Sequence, residues 1–63
     1  MSATEDKVKG NWNQITGKLK EKYGELTDDD IKKSEGQTDQ LIGIIQEKTG
    51  ESKENVKEYI DSL

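Results

Sequence analysis

The apolar residues of this chain fall at helical intervals. Val8, Trp12, Ile15, Leu19 and Tyr23 follow one another at spacings of 4, 3, 4 and 4, which places them on one stripe of a helix. Thr4 is the candidate N-cap, with Glu5 and Asp6 in the first turn, where the positive end of the helix dipole favours carboxylates. Gly24 suits the left-handed residue that closes a helix. Gly10 is a point at which the stripe can divide, because glycine costs about 1 kcal/mol against alanine in a helix interior.

Three shorter elements follow. Thr27 caps a second helix, with Asp30 at the capping-box position and Ile31 as its one strong apolar residue; Gly36 ends it. A third runs from about Thr38 to Thr49, with Leu41, Ile42, Ile44 and Ile45 facing inward, and stops at Gly50. Ser52 caps a fourth, whose stripe is Val56, Tyr59, Ile60 and Leu63. No proline interrupts the pattern and no strand-like alternation occurs.

The pattern also repeats. Gln14-Ile15-Thr16-Gly17 aligns with Gln40-Leu41-Ile42-Gly43 at an offset of 26, and so do Glu21-Lys22 with Glu47-Lys48 and Gly24-Glu25 with Gly50-Glu51. Beyond the turn the offset becomes 25, pairing Thr27 with Ser52, Ile31 with Val56 and Lys32 with Lys57. Each half reads as helix, glycine turn, capped helix. The expected fold is all-α: four short helices as two packed α-hairpins, about residues 5–35 and 37–62, within one domain spanning 1–63. Neither hairpin can bury its stripe alone, so the two should pack together. The expected core is Val8, Trp12, Ile15, Leu19, Tyr23, Ile31, Leu41, Ile42, Ile45, Val56, Tyr59 and Ile60. Gly17 and Gly43 sit mid-helix at matching places, where close approach of two backbones would offset their cost in helix propensity.

Composition narrows the picture. Apolar residues make up 27% of 63 positions, and a chain this short buries only about 60% of its unfolded surface. With no cysteine and no histidine, neither a disulfide nor a zinc site of the usual finger type can supplement the packing. Charged residues at 38% and a mean hydropathy of −1.12 lie near the disordered range; the ordered apolar spacing argues for a fold. The start of the chain is polar and no apolar run approaches a membrane span, so a cytoplasmic protein is expected.

The net charge is −4, with 14 acids against ten lysines and no arginine, which disfavours generic nucleic-acid affinity. Yet residues 7–22 carry +4. Lys7, Lys9, Lys18, Lys20 and Lys22 around Trp12 form a candidate anion-binding face for a membrane surface or single-stranded nucleic acid. The plainer reading makes Trp12 a core residue and the lysines its solvated back face.

Catalysis finds little material. The commonest general base and the thiol nucleophile are missing, and so is arginine as an oxyanion or phosphate clamp. Ser2, Ser34, Ser52 and Ser62 fall at termini, caps or polar faces. Paired carboxylates need a cleft that separates their pKa values, and a chain this small promises none. No catalytic residue, cofactor or metal is expected. Asp28, Asp30 and Asp39 match three places of a calcium-loop spacing, but Lys32 and Lys33 stand where a ligand and a glycine belong. Helix capping accounts for the acidic run.

Gly10-Asn11-Trp12, Gln14, Gly17-Lys18, Lys20 and Gly24, followed by Leu26-Thr27-Asp28-Asp29-Asp30, resemble the first half of a CsbD-like protein. Glu35-Gly36, Asp39-Gln40-Leu41, Gly43, Ile45-Gln46-Glu47 and Gly50 continue the likeness, which covers about residues 5–60. The resemblance implies a bacterial general stress-response protein of unassigned biochemical activity, with a fold of short helices like two crossed α-hairpins and no catalytic residues. Members of the family carry apolar residues where Lys33 and Ser34 stand and basic ones where Gln37 and Thr38 stand. The first departure weakens the anchoring of the second helix, the second any anion site at the start of the third.

Two modes of action remain. Six glycines and high hydrophilicity resemble hydrophilins, which would act by hydration and loose contacts and need a charged, soluble surface. A small adaptor would instead dock a protein partner through an exposed apolar patch on the first or last stripe. The partner is unknown, and a monomer is expected.

Overall fold

The hydrophobic stripes do form helices, and the first of them divides. In the computed structural model, which describes residues 3–63, the elements are α1 (Ala3–Gly10), α2 (Trp12–Lys22), α3 (Asp28–Lys33), α4 (Thr38–Thr49) and α5 (Lys53–Asp61). All regular structure among these residues is helical. There are thus five helices where four were expected. The break falls at Asn11, which leaves helical geometry at φ −135° and ψ 41°. Its backbone N–H donates to Lys7 O (3.1 Å) and Val8 O (3.3 Å), and its side-chain amide donates to Lys7 O (3.2 Å). These bonds satisfy the carbonyls that a helix end leaves open. With Gly10 beside it, the chain can turn there at little cost, and α1 packs against α2, α4 and α5.

Two expected terminal signals are used differently. Thr4 is not an N-cap: it lies inside α1, is buried, and donates its hydroxyl to Asp61 Oδ1 at 2.8 Å, tying the first helix to the last. Gly24 does not close α2 in the left-handed region. Tyr23 closes it in extended geometry (φ −113°, ψ 90°) and donates its N–H to Leu19 O. Leaving the helix at that residue carries the Tyr23 ring into the core, where it is 6% exposed. Gly36 and Gly50 do adopt left-handed φ, +76° and +77°, which glycine accepts without strain. Gly50 caps α4.

The α3 and α5 starts follow their sequences closely. Thr27 Oγ1 accepts from Asp30 N (3.2 Å) while Asp30 Oδ2 accepts from Thr27 N (3.0 Å), a complete capping box. Ser52 Oγ accepts from Asn55 N at 3.1 Å. The same cap thus opens the second part of each repeat.

The core gathers on α4, which packs against α1, α3 and α5. Leu41, Ile42 and Ile45 are buried there with Val8, Ile15, Leu19, Tyr23, Leu26, Val56 and Ile60. Trp12, Ile31, Ile44 and Tyr59 are half-buried against this cluster. Leu26, outside the expected set, occupies the position before the Thr27 cap, and Ile31 is the fourth helical residue after it. That is the spacing of a hydrophobic staple. Ser34, expected at a cap or on a polar face, is both the C-cap of α3 and wholly buried; its hydroxyl donates to Asp30 O at 2.9 Å. A buried hydroxyl is tolerated because it is bonded. The radius of gyration, 10.2 Å, is near the roughly 10.6 Å of a compact 63-residue chain.

Close backbone approach at Gly17 and Gly43 is not found. A Cβ added at either would meet no neighbouring heavy atom within 4 Å. Alanine there should therefore gain helix propensity without a clash. Gly17→Ala and Gly43→Ala are each expected to raise stability by about 0.5–1 kcal/mol, read as a higher urea midpoint at unchanged slope. Thr38 is 4% exposed and its Oγ1 has no hydrogen-bond partner among the described residues. Thr38→Val, which keeps the shape and removes the hydroxyl, should stabilise by about 1 kcal/mol; thermal unfolding would show a raised midpoint.

Candidate functional site

The lysines of residues 7–22 are dispersed by the turn at Asn11 and the ends of α2. Lys7 is half-buried and donates its ammonium to the backbone oxygens of Asp61 (3.1 Å) and Leu63, where the carbonyls at the end of α5 attract a cation. Lys20 pairs with Asp28 and holds that carboxyl below the usual carboxylate range. Both partners are exposed, so solvent screens the pair and it adds little to stability. The Lys22 ammonium lies over the rings of Tyr59 (5.1 Å from the centroid) and Tyr23 (5.9 Å). The two rings meet edge to face, with centroids 6.2 Å apart at 76°, a favourable aromatic geometry. Lys9 and Lys18 are exposed. Trp12 is half-buried on the core.

A groove of about 450 Å³ lies at the start of α2, lined by Lys7, Asn11, Gln14, Ile15, Lys18 and Leu63. Of the six candidate anion-face residues it brings together Lys7 and Lys18; Lys9, Trp12, Lys20 and Lys22 lie outside its lining. Asn11, Gln14, Ile15 and Lys18 follow at i, i+3, i+4 and i+7, one face of α2. Neither Asn11 nor Gln14 was expected as a site residue; this spacing is the signal that could have placed them beside Lys18. Among the described residues no group of three or more acidic side chains is placed to hold a metal ion, and none of the helices is long and apolar enough to cross a membrane.

The most shielded charge lies elsewhere. The Asp30 residue is 8% exposed. Its Oδ2 takes the Thr27 N–H of the capping box and the Lys48 ammonium together. Lys48 also donates to Glu25 O at 3.3 Å. One side chain from the last turn of α4 thereby fastens the turn before α3 and the first turn of α3. The hydrogen bond from Lys48, with that from the Thr27 backbone, lowers the Asp30 pKa from 3.8 to about 2. The sequence marked Asp30 as a cap but gave Lys48 no role. Its counterpart in the repeat, Lys22, reaches the Tyr59 ring of α5. Each lysine therefore crosses to the later helix of the opposite repeat.

Comparison with known proteins points one way. The sequence profile of the CsbD-like family matches residues 6–58. The chain is similar to UPF0337 protein YjbJ of Escherichia coli K12, 51% identical over 57 residues, covering 89% of this chain and 83% of the relative. A UPF0337 protein of Pseudomonas aeruginosa is 46% identical over 55 residues, 87% and 85% of the two chains. One of Bordetella pertussis is 47% identical over 60 residues, 89% and 91%. No solved structure matches the chain.

The Asp30 carboxyl binds its proton more weakly in the folded chain than at its ordinary value of 3.8. The unfolded chain therefore takes up the proton first, and the stability this group supplies above about pH 4 is lost as pH falls through about 2. Asp30→Asn retains an acceptor for the cap but not the charge. It should be less stable than the parent at neutral pH, and the difference should close between pH 4 and pH 2, as read from urea midpoints.

Proposed function

The chain belongs to the CsbD-like family, and from that premise we propose that it is a non-enzymatic stress-response protein that protects other macromolecules in the manner of a hydrophilin. The observation that carries this reading is the fate of the apolar stripes. Val8, Ile15 and Leu19 on one side and Val56 and Ile60 on the other are turned into the core. Among the described residues the exposed large hydrophobic is Leu63. An adaptor that docked a partner through those stripes would need them uncovered. A charged, patch-free surface instead suits a protein that stays soluble at high abundance and shields others by weak contacts.

The same reading treats residues 1–63 as one cytoplasmic, monomeric domain built from two related α-hairpin units. The matching caps at Thr27 and Ser52 and the crossing of Lys22 and Lys48 support that relation. Binding of an anionic surface through the whole Lys7–Lys22 face is the weaker alternative, because Lys7, Lys20 and Lys22 are engaged within the fold.

Freeze–thaw cycling of two unrelated labile enzymes distinguishes the classes. Both should retain more activity with the protein than with an equal mass of a neutral polymer. Failure to protect either enzyme, together with recovery of one partner at fixed stoichiometry, would favour the adaptor.

A further inference from the structure

The two halves of the chain pack on each other. α1 packs on α4 and α5, and α3 packs on α4. The core that joins Val8 and Leu19 to Leu41 and Val56 is therefore built across the middle of the sequence. Side-chain ties cross the same point: Thr4 to Asp61, Lys48 to Asp30, and Lys22 over the Tyr59 ring. Three residues, Glu35, Gly36 and Gln37, connect the halves between the C-cap Ser34 and the start of α4 at Thr38. All three are exposed. The turn closes with Gly36 at φ +76° and with the Gln37 backbone N–H donating to Ser34 O at 2.7 Å. A Cβ added at Gly36 would meet no neighbouring heavy atom within 4 Å. What the turn demands there is a backbone conformation, which glycine supplies.

We propose that two copies of this chain exchange halves about Gly36 to form a domain-swapped dimer. With Gly36 extended, the first half of one copy packs on the second half of the other. Every tie across the middle is then re-formed between chains, and the dimer holds the same fold twice. Such exchange is a low-cost route to a dimer, because its interface already exists in the closed chain. A short connecting turn favours it. In dilute solution the closed monomer prevails, because the connection keeps the two halves at a high effective concentration. Raising the concentration of the chain shifts the balance to the dimer by mass action. The inference stands or falls separately from the protective role, which needs no particular state of assembly.

The test is sedimentation of the full chain after refolding from urea at about 10 μM and about 1 mM, on either side of the range in which a short linker stops outcompeting a second copy. The parent should be monomeric at the lower concentration and partly dimeric at the higher. Gly36→Val strains the closed turn, because a β-branched residue resists positive φ, and leaves the extended connection unstrained. It should lower the dimer dissociation constant about tenfold or more. Gly36→Ala, a milder strain, should lower it less and serves as a second variant should valine disturb folding. Gly50→Val is the control: that glycine has φ +77° and equally free space, but it joins α4 to α5 within one half. It should change the constant less than about twofold. In a dimer refolded from equal parts of isotope-labelled and unlabelled chain, filtered NOEs should connect the Tyr23 and Tyr59 rings of different copies, which lie 6.2 Å apart in the fold. Absence of a dimer from both Gly36 variants at about 1 mM, equal dimerisation of Gly50→Val, or a dimer whose Tyr23–Tyr59 contact stays within each chain would overturn the assignment.

Discussion

Burial of the α4 apolar face is the interaction on which α1, α3 and α5 depend. Leu41, Ile42 and Ile45 are at most 2% exposed, and α1, α3 and α5 all pack on the helix that carries them. Truncating a buried leucine or isoleucine to alanine costs about 2–5 kcal/mol. The net stability of a 63-residue chain, at about 0.05–0.15 kcal/mol per residue, is of the same order. With no disulfide and 27% apolar residues, the chain has little surplus with which to absorb such a loss. The other devices act at the edges of this core: the Thr4–Asp61 bond joins the outer helices, and Lys48 fastens α3 to the end of α4.

This arrangement also explains how so polar a chain can present a charged surface. The few large hydrophobic residues are turned inward or half-covered, which leaves lysines and carboxylates outside. Such a surface favours solubility. The groove beside α2 lies where the turn at Asn11, the Lys7 contact and Leu63 meet.

Much of the local structure was legible in the sequence because it is set by neighbours in the chain. The α4 boundaries and the caps at Thr27, Ser52 and Gly50 depend on residues within four positions of each other. Part of what was not legible depends on distant partners. Thr4 looked like a cap until Asp61, far along the chain, offered its carboxylate. Tyr23 ends α2, rather than Gly24, because its ring is wanted in the core. Two further misses are local: the Ser34 hydroxyl tolerates burial by bonding back to Asp30 O of its own helix, and Leu26 takes a staple position that a stripe of helical spacing does not reveal. For the candidate site, the positive stretch in residues 7–22 was plain, but its division was not. The turn at Asn11 sends Lys7 to α5, while Lys20 and Lys22 follow the far end of α2. Lys48 carried no local signal beyond its place in the repeat.

Native-state hydrogen exchange tests the central dependence most directly, because it ranks the helices by the free energy needed to open them. If the α4 face organises the fold, the amides of Leu41 to Ile45 should exchange only by global unfolding, while those of α3 and the first turn of α1 exchange through smaller openings. Exchange of the α4 amides that is faster than, or equal to, that of α3 would contradict the account.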